Sequence, residues 1–214
     1  MLFFDAHTHT ALQSKNTVAI ENKYPNSLHF TNPFSIGMHP WCLKKETIKN
    51  HLLLVEQRLQ DKNCYAIGEC GLDKNSTADF KLQQQVFIEH IQLSEQYNKP
   101  IIIHCVKAYQ ELIALKKQHS PKQFWIVHGF NKSWQLAESL LKNTILLSFG
   151  DAMLHNKKLQ EVFLNINLDS ILLETDASET SIFTIYAIAA ELKQMEEHVL
   201  QEQISTNFKR IFKK

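Results

Sequence analysis

Short apolar runs alternate with stretches of helical periodicity along most of the chain, and this alternation is the strongest constraint on its fold. Chains that alternate strand and helix form parallel sheets, and seven or eight such units in 214 residues favour an α/β fold of the TIM-like (β/α) barrel type. After a first strand near the start, the predicted strands lie at 34–38, 64–68, 101–104, 124–127, 145–149 and 170–175. The predicted helices lie at 45–60, 80–97, 107–118, 133–142, 156–165, 182–194 and 196–212.

The segment 10–33 is too short for a complete helix, strand and helix. Its two apolar pieces, 17–21 and 27–31, are separated by Tyr24-Pro25-Asn26, a pattern that predicts a small hairpin. The barrel is therefore expected to be distorted or incomplete on this side. Because the sequence has no repeat, low-complexity tract or linker, a single domain is expected to span 1–214.

Composition excludes several classes of protein. The content of 44% hydrophobic and 21% charged residues is ordinary for a globular fold with a real core, and a net charge of +1 excludes a broad basic surface for gripping long nucleic acid. The sequence shows no apolar run near the ~20 residues of a membrane span, no secretory signal pattern and no paired cysteine motif. We therefore expect a cytoplasmic protein with no membrane partner, and a monomer is compatible with the sequence.

Acidic and histidine residues stand where five of the apolar runs end. His7 and His9 follow the first run with an i, i+2 spacing, which points both imidazoles to one face of a strand. Parallel strands of a barrel all end on one face, so these side chains are expected to converge there. Burying so many ionisable groups is costly unless divalent cations compensate them. The candidate metal ligands are His7, His9, Glu69, His104, His128 and Asp176.

These ligands predict hydrolysis at a two-metal site. Glu69 has two oxygens and can bridge two ions, with the first histidine pair on one ion and His104 and His128 on the other. Two ions about 3.5–4 Å apart activate a shared water and clamp the oxygens of a phosphoryl group. Asp176 is expected to ligate a metal and to orient or deprotonate that water, so Asp176 and Glu69 are the candidate catalytic residues. Mixed imidazole and carboxylate donors suit Zn, Mn, Ni or Fe, whereas Mg prefers oxygen, so ligand type leaves the metal open.

Several motifs resemble those of the TatD-type metal-dependent hydrolases, which are nucleases within the wider amidohydrolase-like barrel group. Asp5-Ala6-His7-Thr8-His9 is similar to the family's opening metal motif, and Gly37-Met38-His39-Pro40-Trp41 is similar to its G-x-H-P segment. The most specific match is Ile67-Gly68-Glu69-Cys70-Gly71-Leu72-Asp73, which resembles I-G-E-x-G-L-D. Further matches follow in the family's order at Gln85, Phe87, 100–104, 127–130, 172–177 and 207–212.

The resemblance implies a phosphodiesterase, dependent on two Mg or Mn ions, that acts on DNA or oligonucleotide ends, typically as a 3′-to-5′ exonuclease with the six candidate ligands as its metal site. It also implies a phosphate-facing role for His39, for which the alternative is a turn residue before Pro40. Trp41 is expected either to stack on a terminal base or to cap the barrel, and Lys107 to meet substrate as a point charge. Asp73 is expected either to orient a ligand histidine or to cap the next helix.

Two positions depart from the family's pattern. Val106 stands where the family usually has an arginine, and Ser178 stands where it usually has a proline. These two departures keep open the hydrolysis of an ester, amide or D-aminoacyl-tRNA bond on the same scaffold. The short segment 10–33 also removes one wall of the family's substrate cleft, which keeps open a metal-binding protein without catalysis. Phosphomonoesterases of the polymerase-and-histidinol-phosphatase type also open with Asp-x-His-x-His, but the segment 67–73 argues against them.

Overall fold

Strands and helices alternate along the chain, as the apolar periodicity predicts. A computed structural model describes residues 2–10 and 14–213. Its strands are β1 (Phe3–Thr8), β2 (Thr17–Lys23), β3 (Phe34–Ile36), β4 (Cys64–Asp73), β5 (Ile101–Val106), β6 (Trp125–Val127), β7 (Ile145–Phe149) and β8 (Ile171–Leu173). Its α-helices are α1 (Ile48–Leu59), α2 (Phe80–Tyr97), α3 (Tyr109–His119), α4 (Trp134–Lys142), α5 (Ala152–His155), α6 (Lys157–Asn165), α7 (Ile182–Lys193) and α8 (Glu197–Phe212). Among the described residues, every helix is too short or too polar to cross a lipid bilayer.

The chain divides into two units, which we call the terminal unit (1–21 and 128–214) and the central unit (22–127). In the central unit, β3, β4, β5 and β6 pair in chain order, and every pair is parallel. The core side chains Phe34, Ile67 and Trp125 are fully buried, and the ring of Phe87 on α2 packs edge-on against Trp125 at 5.4 Å. Strands covered in this way read as continuous apolar runs, which is the pattern that predicted them.

In the terminal unit, β1 pairs with β2 and β7 pairs with β8, again in parallel. The hydroxyl of Tyr186 on α7 donates to the carbonyl oxygen of Phe4 and accepts from its backbone N–H, both at 3.1 Å. Phe4 also packs against Phe208 of α8, with ring centroids 4.6 Å apart. Strand β1 is therefore held by α7 and α8.

The predicted hairpin within 10–33 is wrong. The segment Thr17–Lys23 is a strand that pairs with β1 in parallel, with Phe3 opposite Thr17 and Asp5 opposite Ala19, whereas 27–31 forms no strand. The described part of the connection 9–16 contains no helix. This connection is also shorter than the dozen or more residues that usually join parallel strands. Residues 11–13 of the predicted segment lie outside the described residues. The single domain over 1–214 stays a prediction.

His90, buried in α2, is expected to make the protein less stable in acid. Its Nδ1 donates to the Val86 carbonyl oxygen at 2.7 Å and its Nε2 accepts the Met38 N–H at 3.1 Å, so both nitrogens are occupied in the neutral ring. Burial lowers the pKa of His90 from 6.5 to about 4, although the bond to Val86 opposes this shift. The unfolded chain then binds the proton first as pH falls. We expect the free energy of unfolding to drop by about 3 kcal/mol as pH falls from about 6.5 to about 4.

Urea denaturation of the metal-free protein at a series of pH values measures this loss. His90→Gln keeps a donor and an acceptor but does not titrate, and its free energy of unfolding is expected to fall less over the same pH range. Parallel curves for the two proteins would contradict the assignment to His90.

Candidate metal centres

The terminal unit brings together four of the predicted ligands, which we call the terminal cluster: His7, His9, His128 and Asp176. One ligand atom each of His7, His128 and Asp176 lies within 4.8 Å of the others. Asp176 Oδ1 lies 3.6 Å from His7 Nε2 and 3.4 Å from His9 Nε2. The side chain of His7 is buried while that of Asp176 is 41% exposed, so the cluster has a closed wall and an open side.

Backbone bonds fix Asp176 in this position. Its N–H donates to the His7 carbonyl oxygen and its own carbonyl oxygen accepts from the His9 N–H, both at 2.9 Å, and it forms a parallel bridge with Thr8. Its φ of 53° is left-handed, a conformation that a non-glycine residue keeps only when its surroundings hold it. Burial raises the pKa of Asp176, but the imidazoles of His7 and His9 outweigh burial and hold that pKa well below its usual value. The carboxylate is therefore ionised at neutral pH.

A buried carboxylate, Asp5, ties β1 to the segment after β8. Its Oδ1 accepts from the Thr175 N–H at 3.1 Å and from the His7 N–H at 3.3 Å, and its Oδ2 accepts from the Thr175 hydroxyl at 2.7 Å. Burial raises the pKa of Asp5 to about 7, although the bonds from Thr175 oppose it. Asp5 is thus a positioning group behind His7.

Glu174 supports the terminal cluster from a fully buried position that the sequence pattern did not single out. Its Oε1 accepts the Gly129 N–H at 2.6 Å and lies 3.4 Å from His128 Nδ1. A carboxylate at this nitrogen favours the Nδ1–H tautomer of His128 and leaves its Nε2 to act as a ligand. The other oxygen, Oε2, is buried and has no hydrogen-bond partner among the described residues, as expected where a cation or water completes a polar site.

The central unit brings together a second set, which we call the central cluster: His39, Glu69 and His104. Their ligand atoms lie within 4.8 Å of one another. Glu69 Oε1 lies 3.1 Å from His39 Nε2 and 3.0 Å from His104 Nδ1. His39 was predicted to face substrate, yet its Nδ1 accepts the Trp41 N–H at 3.1 Å, which directs its other nitrogen toward Glu69. One nitrogen of the His39 ring therefore bonds within the turn around Pro40, and the other faces Glu69 of the central cluster.

Asn22, at the end of β2, holds Glu69 on its main chain and side chain. The Asn22 Oδ1 accepts the Glu69 N–H at 2.9 Å, and its Nδ2 donates to Glu69 Oε2 at 3.5 Å. The sequence did carry a signal for this residue, because Asn22 follows the apolar residues of β2 as the predicted ligands follow theirs. The hairpin predicted for 17–31 left this signal unused, because it did not treat Asn22 as a residue at the end of a parallel strand.

Asp73 contacts a candidate ligand directly. Its Oδ2 lies 3.0 Å from His104 Nε2 and accepts the Trp41 indole N–H at 2.6 Å. Gln83 of α2 grips the Asp73 main chain, accepting its N–H at 2.8 Å and donating to its carbonyl oxygen at 3.0 Å. The cap of α2 is Asp79 instead, which accepts a backbone N–H of the first helical turn. The helix-capping alternative for Asp73 is therefore wrong.

The remaining predicted substrate residues lie at exposed positions. Trp41 is 66% exposed, and its ring lies edge-on to His39 with centroids 5.0 Å apart. Lys107 is exposed directly after β5, with a left-handed φ of 55°. Val106, where the family usually has an arginine, ends β5 itself.

Gly71 is required by the close approach of β4 to β5. Its φ of 143° is rare for residues with a side chain, and a Cβ atom there would overlap the carbonyl oxygen of His104. The central cluster therefore depends on a glycine two residues after Glu69.

Both clusters fit divalent cations by the chemistry of their donors. The terminal cluster combines imidazole nitrogens with a carboxylate, and the central cluster offers Glu69 and the Nδ1 of His104, donors that suit Mn, Zn, Fe or Ni. Because its Nδ1 accepts the Trp41 N–H, the neutral ring of His39 has its proton on Nε2 and faces Glu69 as a donor. The structure thus places His7, His9, His128 and Asp176 in the terminal cluster and Glu69 and His104 in the central cluster, where they are joined by His39.

Comparison with known proteins identifies the family. The family model described as TatD related DNase matches residues 3–213. An uncharacterized metal-dependent hydrolase of Buchnera aphidicola subsp. Baizongia pistaciae is 30% identical over 195 residues, which cover 83% of this chain and 73% of that protein. The uncharacterized metal-dependent hydrolase YjjV of Escherichia coli is 30% identical over 150 residues, which cover 68% of this chain and 58% of that protein.

A solved structure shows the fold. The crystal structure of the TatD homologue YjjV from Escherichia coli matches with a TM-score of 0.82 at 22% identity, covering 99% of this chain and 98% of the other. The eight strands and their helices thus have the TIM-barrel-like α/β fold, which confirms the predicted fold class. The chain belongs to the TatD related DNase family of metal-dependent hydrolases.

Proposed function

We propose that this metal-dependent hydrolase is a phosphodiesterase that removes nucleotides from the ends of DNA or short oligonucleotides, as a 3′-to-5′ exonuclease does. We further propose two divalent ions, Mg²⁺ or Mn²⁺, one at each cluster. The observation that carries the proposal is the pair of donor sets, each with imidazole and carboxylate atoms close together. When bound, such ions supply an activated water and neutralise charge on a phosphoryl group.

Asp176 has the features of the residue that orients the attacking water. Its carboxylate is ionised, is open to solvent on one side, and is fixed through backbone bonds that do not use its side chain. Glu69 is held on both its main chain and its side chain by Asn22. Positioned carboxylates of this kind contribute about 10²–10⁴-fold to catalysis when they transfer or direct a proton.

Two exposed residues of the central unit, Trp41 and Lys107, support an oligonucleotide substrate. The Trp41 indole N–H is anchored on Asp73, so the ring is held in one orientation while most of it stays exposed. A fixed, exposed aromatic ring stacks on a terminal base without regard to sequence. Lys107 can meet a phosphate as a point charge.

Val106 favours a second candidate function. Without an arginine at this position the chain lacks a two-pronged phosphate contact there, and the same metal donors serve the hydrolysis of a carboxylic ester, an amide or a D-aminoacyl-tRNA bond. A panel of phosphodiester, ester and amide substrates discriminates between the two candidates.

Phosphodiesterase activity is tested with end-labelled single-stranded and duplex oligonucleotides in the presence of Mg²⁺ or Mn²⁺. We expect products shortened from the 3′ end, and a rate at least about 100-fold lower for His104→Ala, since this change removes a donor from the central cluster. His198→Ala is the matched control, because His198 is an exposed histidine of α8 outside both clusters. Equal rates for the wild type and His104→Ala would contradict the proposal, and turnover of esters or amides alone would establish the second candidate.

A further inference from the structure

The terminal unit contains a groove that neither cluster accounts for. It has a volume of about 640 Å³ and lies between the start of α4 and one face of α6. Buried Leu159 and Val162 line it together with exposed Trp134, Lys132 and Lys158. This volume is within the range of ligand-binding pockets, about 300–1,000 Å³. We call it the α4–α6 groove.

The α4–α6 groove begins close to the terminal cluster. Asn131, which lines it, follows the candidate ligand His128 by three residues, a chain distance of at most about 11 Å. Asn131 accepts a hydrogen bond from the Asn156 side chain at 2.7 Å, and Asn156 in turn caps α6 by accepting the Leu159 N–H at 3.2 Å. The edge of the groove nearest the cluster is therefore fixed by hydrogen bonds.

The lining of the groove includes an aromatic ring and two cationic side chains. Trp134, the first residue of α4, is 36% exposed. Lys132 and Lys158 are exposed, and neither forms an ion pair with another described residue. Ser133 leaves the first backbone N–H groups of α4 without a side-chain cap, which adds positive potential at the same place. Glu161 is the single carboxylate among the lining residues.

We propose that the α4–α6 groove is a subsite for single-stranded nucleic acid, with a base stacked on Trp134 and phosphates held by Lys132 and Lys158. Aromatic stacking combined with a cationic groove is the usual means of binding single strands without sequence preference. The inference rests on the proposed phosphodiesterase function and extends it, because it assigns a preference for substrates several nucleotides long over dinucleotides.

Binding of a labelled oligothymidylate octanucleotide to the metal-free full chain, measured by fluorescence anisotropy, tests the subsite. Trp134→Ala is expected to weaken binding about tenfold, and Trp134→Phe, which keeps a ring, to retain most of it. Replacing Lys132 and Lys158 with glutamine is expected to lower the slope of log affinity against log salt by about 1.4, since each phosphate contact on a single strand contributes about 0.7. Glu161→Gln is expected to tighten binding. Leu164→Ala, at a 46% exposed residue of α6 outside the groove, is the matched control.

Cleavage assays separate this inference from the proposed function. With metal present, Trp134→Ala is expected to raise KM about tenfold for the octanucleotide and to leave a dinucleotide unaffected. Cleavage with unchanged octanucleotide binding and KM in Trp134→Ala would overturn the subsite and leave the phosphodiesterase standing. Binding that Trp134→Ala weakens, without cleavage of any oligonucleotide, would support the subsite and refute the phosphodiesterase. No binding by the wild type would overturn the subsite.

Discussion

Asp176→Asn is expected to lower phosphodiester turnover about 10³-fold while the protein stays folded. Asparagine has the same shape, and the backbone bonds of Asp176 with His7 and His9 do not involve its side chain. The amide cannot carry the negative charge that faces the two imidazoles, so both water orientation and metal affinity are lost. The measurement is kcat with an end-labelled oligonucleotide, alongside near-UV circular dichroism as a check of the fold.

Asp169→Asn is the matched control, since Asp169 is an exposed aspartate before the start of β8 and belongs to neither cluster. Metal content per chain gives an independent readout. The wild type is expected to bind two divalent ions, and Asp176→Asn to bind fewer. A rate for Asp176→Asn similar to that of Asp169→Asn would contradict the role assigned to Asp176.

Gly71→Ala is expected to lower the free energy of unfolding by about 3 kcal/mol, a large loss for a single methyl group. The added Cβ would overlap the carbonyl oxygen of His104, and the backbone of Gly71 has a φ of 143°, which alanine rarely adopts. The pairing of β4 with β5 must therefore shift. Urea denaturation measures the loss, and the activity of the remaining folded protein is expected to fall as well, because His104 moves.

Gly129→Ala separates steric overlap from backbone strain. Gly129 also has a positive φ, of 55°, but the nearest atom to a Cβ there is Glu174 Oε1 at 3.9 Å, which is ordinary contact. Only the left-handed backbone penalty of about 1 kcal/mol is expected at this position. Equal losses for the two substitutions would show that the approach of β4 to β5 is not what requires Gly71.

The elements that could be predicted from the sequence are those with local signals. Helix α2 begins at Phe80 and ends at Tyr97, as its apolar spacing predicts, because Asp79 caps its first turn and left-handed Asn98 ends it before Pro100. Strands β5, β6 and β7 were predicted to within two residues for a similar reason, since each is a short, continuously apolar run with turn residues around it.

The elements that could not be predicted depend on distant partners. The sequence of a short run such as 17–21 is compatible with a hairpin arm and with a parallel strand. Only its pairing with Phe3–Thr8 decides between the two. The extension of β4 to Asp73 has a similar origin, because its glycines suggest a break locally, whereas in the fold Gly71 lies opposite His104 on β5.

The residues of the candidate site also divide into those that could be predicted from the sequence and those that could not. The predicted ligands could be found because they follow apolar runs, and parallel strands present their carboxyl ends together. In the structure these ligands lie in two groups. The supporting residues gave weaker signals. Gln83 is almost fully buried on α2, yet helical periodicity does not show that its side chain hydrogen-bonds the main chain of Asp73, ten residues earlier. Glu174 lies two residues before Asp176 in the sequence, and only Asp176 was predicted as a ligand from that strand end.

The terminal cluster combines residues that lie more than a hundred positions apart in the sequence, so its parts leave the ribosome at different times. His7 is made before Asp176, which forms backbone bonds with His7 and His9, and before Tyr186, whose hydroxyl bonds to the backbone of Phe4. A nascent chain released only as far as β7 carries histidines without the carboxylate that faces them. The terminal cluster therefore forms only after the segment that follows β8 has left the ribosome.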